Sequence, residues 1–141
     1  MSSASTGARA AATAVDLAIF YAPYLVSLSE TAPPPARVVA AFTALAVLAA
    51  QAALLARDGQ TFGKKMWRLR VIRRDTGENG GFATNVLIRA FSAWAPNLLL
   101  VVLGGPPLWL AADALTLWWR GDGLSLHDLI AGTAVIDSAV N

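Results

Sequence analysis

The sequence predicts an all-α membrane protein with about four transmembrane or partly re-entrant helices, arranged as two hairpins around a basic loop. Three observations lead there. First, the 141 residues are 56% hydrophobic and only 14% charged, against roughly 25% charged in a soluble domain, and the mean hydropathy is +0.53. Second, several apolar stretches approach the length that crosses ~30 Å of hydrocarbon. Third, seven of the eleven Lys and Arg residues fall between Arg57 and Arg74, which the positive-inside rule reads as a cytoplasmic loop. The length suits one domain over 1–141. With no cysteine, disulfides, thiolate nucleophiles and Cys-based metal sites are excluded, and the single histidine, His127, makes no His cluster.

The first predicted span covers 10–29; Asp16 and Pro23 interrupt it. A secretory signal peptide would want a basic start and an unbroken apolar stretch, which Asp16 spoils. The second span, 37–56, carries Thr43 and Gln51 as the only polar side chains after Arg37, and about 19 helical residues rise roughly 28 Å. Between the two, Pro33, Pro34 and Pro35 make a short stiff connection, so the helices form a hairpin. The pairs Ala40/Ala44, Ala46/Ala50, Ala49/Ala53 and Ala52/Ala56 repeat the small-xxx-small spacing that lets helix backbones approach in lipid.

The loop 57–83 follows. Trp67, Leu69 and Val71 alternate with Arg68 and Arg70, which suits a strand; Phe62, Met66, Leu69 and Arg73 equally suit a short amphipathic helix starting near Thr61. Either form lies on the membrane surface, where Lys64, Lys65, Arg68 and Arg70 face anionic lipid head groups. The attraction is about 1 kcal/mol per basic residue. The D-T-G-E-N-G-G run at 75–81 turns the chain afterwards. The third and fourth spans are expected at 86–103 and 106–119, joined at the G-G-P-P of 104–107. The fourth is short, about 21 Å, and ends in a Trp pair suited to the interface. The tail, 121–141, is too short to cross and is expected in the interface or packed beneath the helices. With both termini inside, ten of eleven basic residues sit on the cytoplasmic side.

Acidic residues inside apolar segments need an account, because an ionised carboxylate at the centre of a membrane helix costs about 2.5–3.5 kcal/mol. Asp16 and Asp113 lie in predicted spans, and Asp128 sits beside His127 in the tail. Arg9 precedes Asp16 by seven residues, two helical turns, which puts them on one face about 10 Å apart. That is too far for direct contact, so a third group would bridge them. Two readings stay open: a buried polar network with Arg89, Asn97 or Asp128 that fixes packing, or carboxylates that bind a proton or small cation. His127 reads as a hydrogen-bonding residue, not a metal ligand. No nucleophile set, Walker loop or zinc motif is present; G-Q-T-F-G-K-K at 59–65 follows a helix and has the wrong spacing for a phosphate loop. No enzyme activity, cofactor or nucleic-acid partner is expected.

Four stretches point to a family: R-A-A-A-T-A-V-D at 9–16, G-Q-T-F-G-K-K-M-W-R-L-R-V-I at 59–72, L-I-R-A-F at 87–91 and L-H-D-L-I-A-G-T-A-V-I at 126–136. In these the chain resembles the RDD family of small bacterial membrane proteins, named for one arginine and two aspartates. On that match Arg9 is the signature arginine, Asp16 the first aspartate and Asp128 the second, with Asp113 as its rival; Phe62 stands where a proline is common. The resemblance implies a multi-pass protein of the bacterial inner membrane with a role in transport, cation/proton antiport being suggested for some members. The first expected function is therefore transport of protons or small cations. The alternative is an accessory subunit that packs against a larger membrane complex, and a homo-oligomer fits either.

Overall fold

The computed structural model describes residues 3–103 and 108–138. Ser5 caps the first helix, its Oγ accepting from the Ala8 N–H at 3.2 Å. That helix, α1 (Thr6–Leu28), is 23 residues long and contains Pro23. After a turn, α2 (Pro34–Asp58) begins with proline at its first positions and ends at Gly59, whose φ of 69° sits in the left-handed region. A third, short helix α3 (Phe62–Met66) leads into strand β1 (Leu69–Arg73). A π-helix over Phe82–Ala90 then runs directly into α4 (Phe91–Val102), which contains Pro96. Helices α5 (Leu108–Trp119) and α6 (Leu126–Ala131) and strand β2 (Thr133–Asp137) complete the chain.

Helices α1 and α2 pack side by side as the expected hairpin. Both are long and apolar enough to cross a membrane. Large side chains along them stay exposed: Val39 at 64%, Phe42 at 68% and Leu45 at 62%. Ala40 and Ala44 are buried, so the first small-residue pair is used inside the chain, where it lets α1 and α2 approach. The π-helix packs beside α2 and continues directly into α4, and α5, twelve residues long, packs on α4. The expected hairpin tip at 104–107 lies outside the described residues.

The structure corrects the all-α expectation at one end of the hairpin. Strand β1 pairs antiparallel with β2, Leu69 opposite Asp137 and Arg73 opposite Thr133, and Ser3 bridges to Ile136 on the far side of β2. Both rival readings of the basic loop are therefore present in sequence, a helix at 62–66 and then a strand. The tail supplies the partner strand, which its own composition did not announce. Leu69, Val71 and Val135 on the sheet join Ala4, Ala12 and Leu55 in a compact apolar core, with Ala8 and Val86 against it. Leu69, Val71 and Val135 thus pack under the ends of α1 and α2, while Ile72 and Ile136 are buried outside that core and Arg70 and Arg73 are exposed.

Gly63 marks the closest approach of α3 to α1: a Cβ at that position would collide with the Ala12 carbonyl. Replacing Gly63 with Ala is expected to lower unfolding stability in detergent by at least about 1–3 kcal/mol, the cost of overpacking. Gly121→Ala, where a Cβ meets nothing within 4 Å, should change the melting midpoint little; equal effects of the two would contradict the packing.

Candidate functional site

The polar residues singled out in the sequence meet at the sheet end of the helices, in two linked groups. The first centres on Asp128, the third residue of α6 and fully buried. Its Oδ2 accepts from Arg9 Nη2 at 2.5 Å and from the Ser125 hydroxyl at 2.9 Å. Its Oδ1 accepts from Arg89 Nε at 2.9 Å and from the Thr133 hydroxyl at 3.2 Å. Arg9 also donates to the Gly123 carbonyl. Arg9 and Arg89 are each only 7% exposed. One carboxylate is thus clamped by guanidiniums from α1 and the π-helix, and its hydroxyl donors come from either side of α6. Burial alone would raise the Asp128 carboxyl, but the surrounding cations, Arg89 foremost, outweigh it and hold the group far below the usual carboxylate range. Asp128 therefore stays ionised.

The second group centres on Asp16. Its Oδ2 accepts from the Thr61 hydroxyl, and its Oδ1 accepts from the Gly63 N–H at 2.7 Å. Thr61 also caps α3, accepting from the Lys64 N–H at 3.3 Å. Lys64 Nζ stands 3.9 Å from Asp16 Oδ2, with both side chains mostly buried. Burial first, and then the charge of Arg89, push the Lys64 ammonium down to about 8, while Asp16 opposes the shift. The expectation that Lys64 faces lipid is corrected here: the glycine at 63 brings α3 so close to α1 that the next side chain turns inward. Lys65, Arg68 and Arg70 are exposed.

Arg9 and Asp16 do not share a bridge, although both lie on the inner face of α1 as their seven-residue spacing requires. Arg9 reaches the tail, and Asp16 reaches the loop. Asp113 joins neither arginine. It accepts from the His127 backbone N–H at 2.9 Å and lies 2.8 Å from His127 Nδ1, which ties α5 to the start of α6. Since a carboxylate only accepts, Nδ1 carries the proton. Burial and Arg89 keep the ring's affinity for a second proton below normal. The side chain of Asn97 lies outside the described ones.

Several residues at this end were missed in the sequence. Asn79 Nδ2 donates to the carbonyls of Ala56 and Arg57 at 2.8 Å each, and Asn85 Nδ2 donates to that of Leu55 at 3.2 Å. The two amides thereby satisfy the last carbonyls of α2. The N-G-G sequence announced only a turn; nothing local says that its side chain caps a helix more than twenty residues back. Ser125 and Thr133 flank the Asp128 motif and carried no signal beyond capping chemistry. Among the described residues no three His, Asp or Glu side chains gather closely enough to hold a metal ion.

Asp128→Asn leaves two buried guanidiniums without a counter-charge and is expected to cost about 3–5 kcal/mol of unfolding stability at neutral pH. A depressed carboxyl stabilises the fold above its unfolded pKa. In the wild type this contribution is full at neutral pH and is lost only as pH falls below about 4. Thermal melts of both proteins across pH check this: the gap between them should narrow on acidification, and a gap that widens would contradict the ionised assignment.

No curated protein and no solved structure matches the chain. The family comparison does match, over residues 3–132, from the start of the sheet end through the α6 turn, and so takes in Arg9, Asp16, Lys64, Arg89, Asp113 and Asp128. The chain belongs to the RDD family.

Proposed function

We propose that this RDD-family protein resides in the bacterial inner membrane and exchanges protons against small cations, with Asp16 and Lys64 as the exchanging pair. The membrane reading rests on the exposed apolar length of α1 and α2; a water-soluble chain rarely leaves such a band uncovered. The exchange reading rests on one observation, the mostly buried Asp16 carboxylate with the Lys64 ammonium 3.9 Å from it, and burial pushes that ammonium down to about 8. While Lys64 is protonated it neutralises Asp16. When it loses the proton, Asp16 keeps the Thr61 hydroxyl and Gly63 N–H but lacks a positive charge, and a small cation then takes that place. The protonated Lys64 ammonium and the cation compete for one carboxylate, which is the logic of antiport. Asp128 is excluded from this role because two arginines hold it ionised, and its part is structural. No covalent chemistry is involved.

An accessory role in a larger assembly is the second reading. It is favoured by Ala46, Ala49 and Ala53, which stay exposed on α2 after Ala40 and Ala44 have been used against α1. In either case the loop's positive charge supports a reading with both termini and the sheet end on the cytoplasmic side.

Proteoliposomes loaded with a pH dye test the first reading. Cation-driven pH changes are expected in the wild type, rising as external pH passes through about 8, and absent in Asp16→Asn. Equal signals in wild type and Asp16→Asn would remove the exchange reading; a fixed stoichiometric partner retained in mild detergent would favour the second.

A further inference from the structure

The basic loop does not spend its charges evenly. Asp58 is shared by Arg57 Nε at 2.8 Å and Lys65 Nζ at 2.7 Å. Arg73 pairs with Asp75 at 2.5 Å, and Lys64 turns inward to Asp16. Arg74 stands near Asp122, whose carboxylate already binds Arg120. Among the described residues, Arg68 and Arg70 are the loop's exposed guanidiniums with no acidic partner. They directly follow Met66 and Trp67, which are 68% and 36% exposed.

The backbone holds this group in place. Arg68 is the one non-glycine residue among those described with a left-handed conformation, φ 53°, an uncommon choice for an arginine that costs local free energy. Its carbonyl is fixed by two donors, the Ser138 N–H at 2.7 Å and the Ser138 hydroxyl at 2.6 Å. Pairing of the tail to the loop therefore sets the turn that presents Met66 and Trp67 at the end of α3, a helix that packs on α1.

We propose that Met66, Trp67, Arg68 and Arg70 form a built clamp for an anionic phospholipid. The two apolar side chains enter the leaflet beside α1, and the two unpaired guanidiniums hold the head-group phosphate. Both halves match that partner: arginine forks recognise phosphate oxygens bidentately, and tryptophan belongs at the membrane interface. The inference rests on the membrane reading above and does not depend on ion exchange.

The test reconstitutes the full chain into bilayers of phosphatidylcholine alone and of an equal mixture with phosphatidylglycerol, one lipid at a time carrying brominated chains. The quenching lost on Trp67→Phe isolates the Trp67 signal. Brominated phosphatidylglycerol is expected to quench Trp67 in preference to phosphatidylcholine, and the preference should fall about fivefold for each of Arg68→Gln and Arg70→Gln, from the loss of one basic residue near the surface. Arg73→Gln, whose charge is already paired, should leave it unchanged. Arg70→Gln touches no backbone turn, so it keeps the test valid if Arg68→Gln perturbs folding. Equal quenching by the two lipids, or a preference indifferent to Arg70→Gln, overturns the clamp. Failure of the chain to remain with the bilayer after an alkaline wash overturns the membrane reading and the clamp together.

Discussion

Everything at the sheet end depends on one buried negative charge. Asp128 is fully enclosed, and an ionised carboxylate in that position is tolerated only with its charge matched and its lone pairs filled. Arg9 and Arg89 more than offset the charge, while Ser125 and Thr133 fill the remaining sites. These groups come from the beginning, the middle and the end of the chain, and no local structure would bring them together. The ion pairs therefore specify the topology: α1, the π-helix and the tail must converge on α6. A buried ion pair is weak evidence for stability, and its better-attested service is to select one arrangement among several.

Around that anchor the architecture separates two environments. Above the polar end, α1 and α2 expose apolar side chains and hide only small ones, which suits oil. At the polar end, a sheet of two strands and a core of Ala, Leu and Val side chains seal the ends of the helices. Asp16 stands at the boundary, ten residues into α1, and is reached by the loop only because Gly63 lacks a side chain. The chemistry differs on the two sides of the anchor. Asp128 is locked by permanent cations, whereas Asp16 faces an ammonium that burial pushes down to about 8.

Much of this was legible in the sequence, and the limits have physical causes. The apolar runs of α1 and α2 and the proline connection follow from composition and local chemistry. So does the placement of Arg9 and Asp16 on one face of α1, since a helix repeats every 3.6 residues. The loop read equally as helix and as strand because its two patterns overlap, and the structure uses them in succession. The strand β2 was illegible because five residues of Thr, Ala, Val, Ile and Asp suit many states until a partner edge is available. Lys64 was misplaced for a related reason. Its neighbours are solvated cations, and only the tertiary approach of Gly63 to Ala12 tells it apart from Lys65. The pairing of Arg9 with Asp128 rather than Asp16 depends on contacts across 119 positions, which periodicity within a helix does not encode.

A double-mutant cycle on Arg9 and Asp128 measures the anchor most directly. Unfolding free energies in one detergent are compared for wild type, Arg9→Met, Asp128→Leu and the double variant. The account predicts a coupling toward the upper part of the roughly 0.5–3 kcal/mol range seen for residues in one network, with the double variant more stable than the sum of the single losses implies. Strict additivity of the two substitutions would show that the residues do not act on each other, and would contradict it.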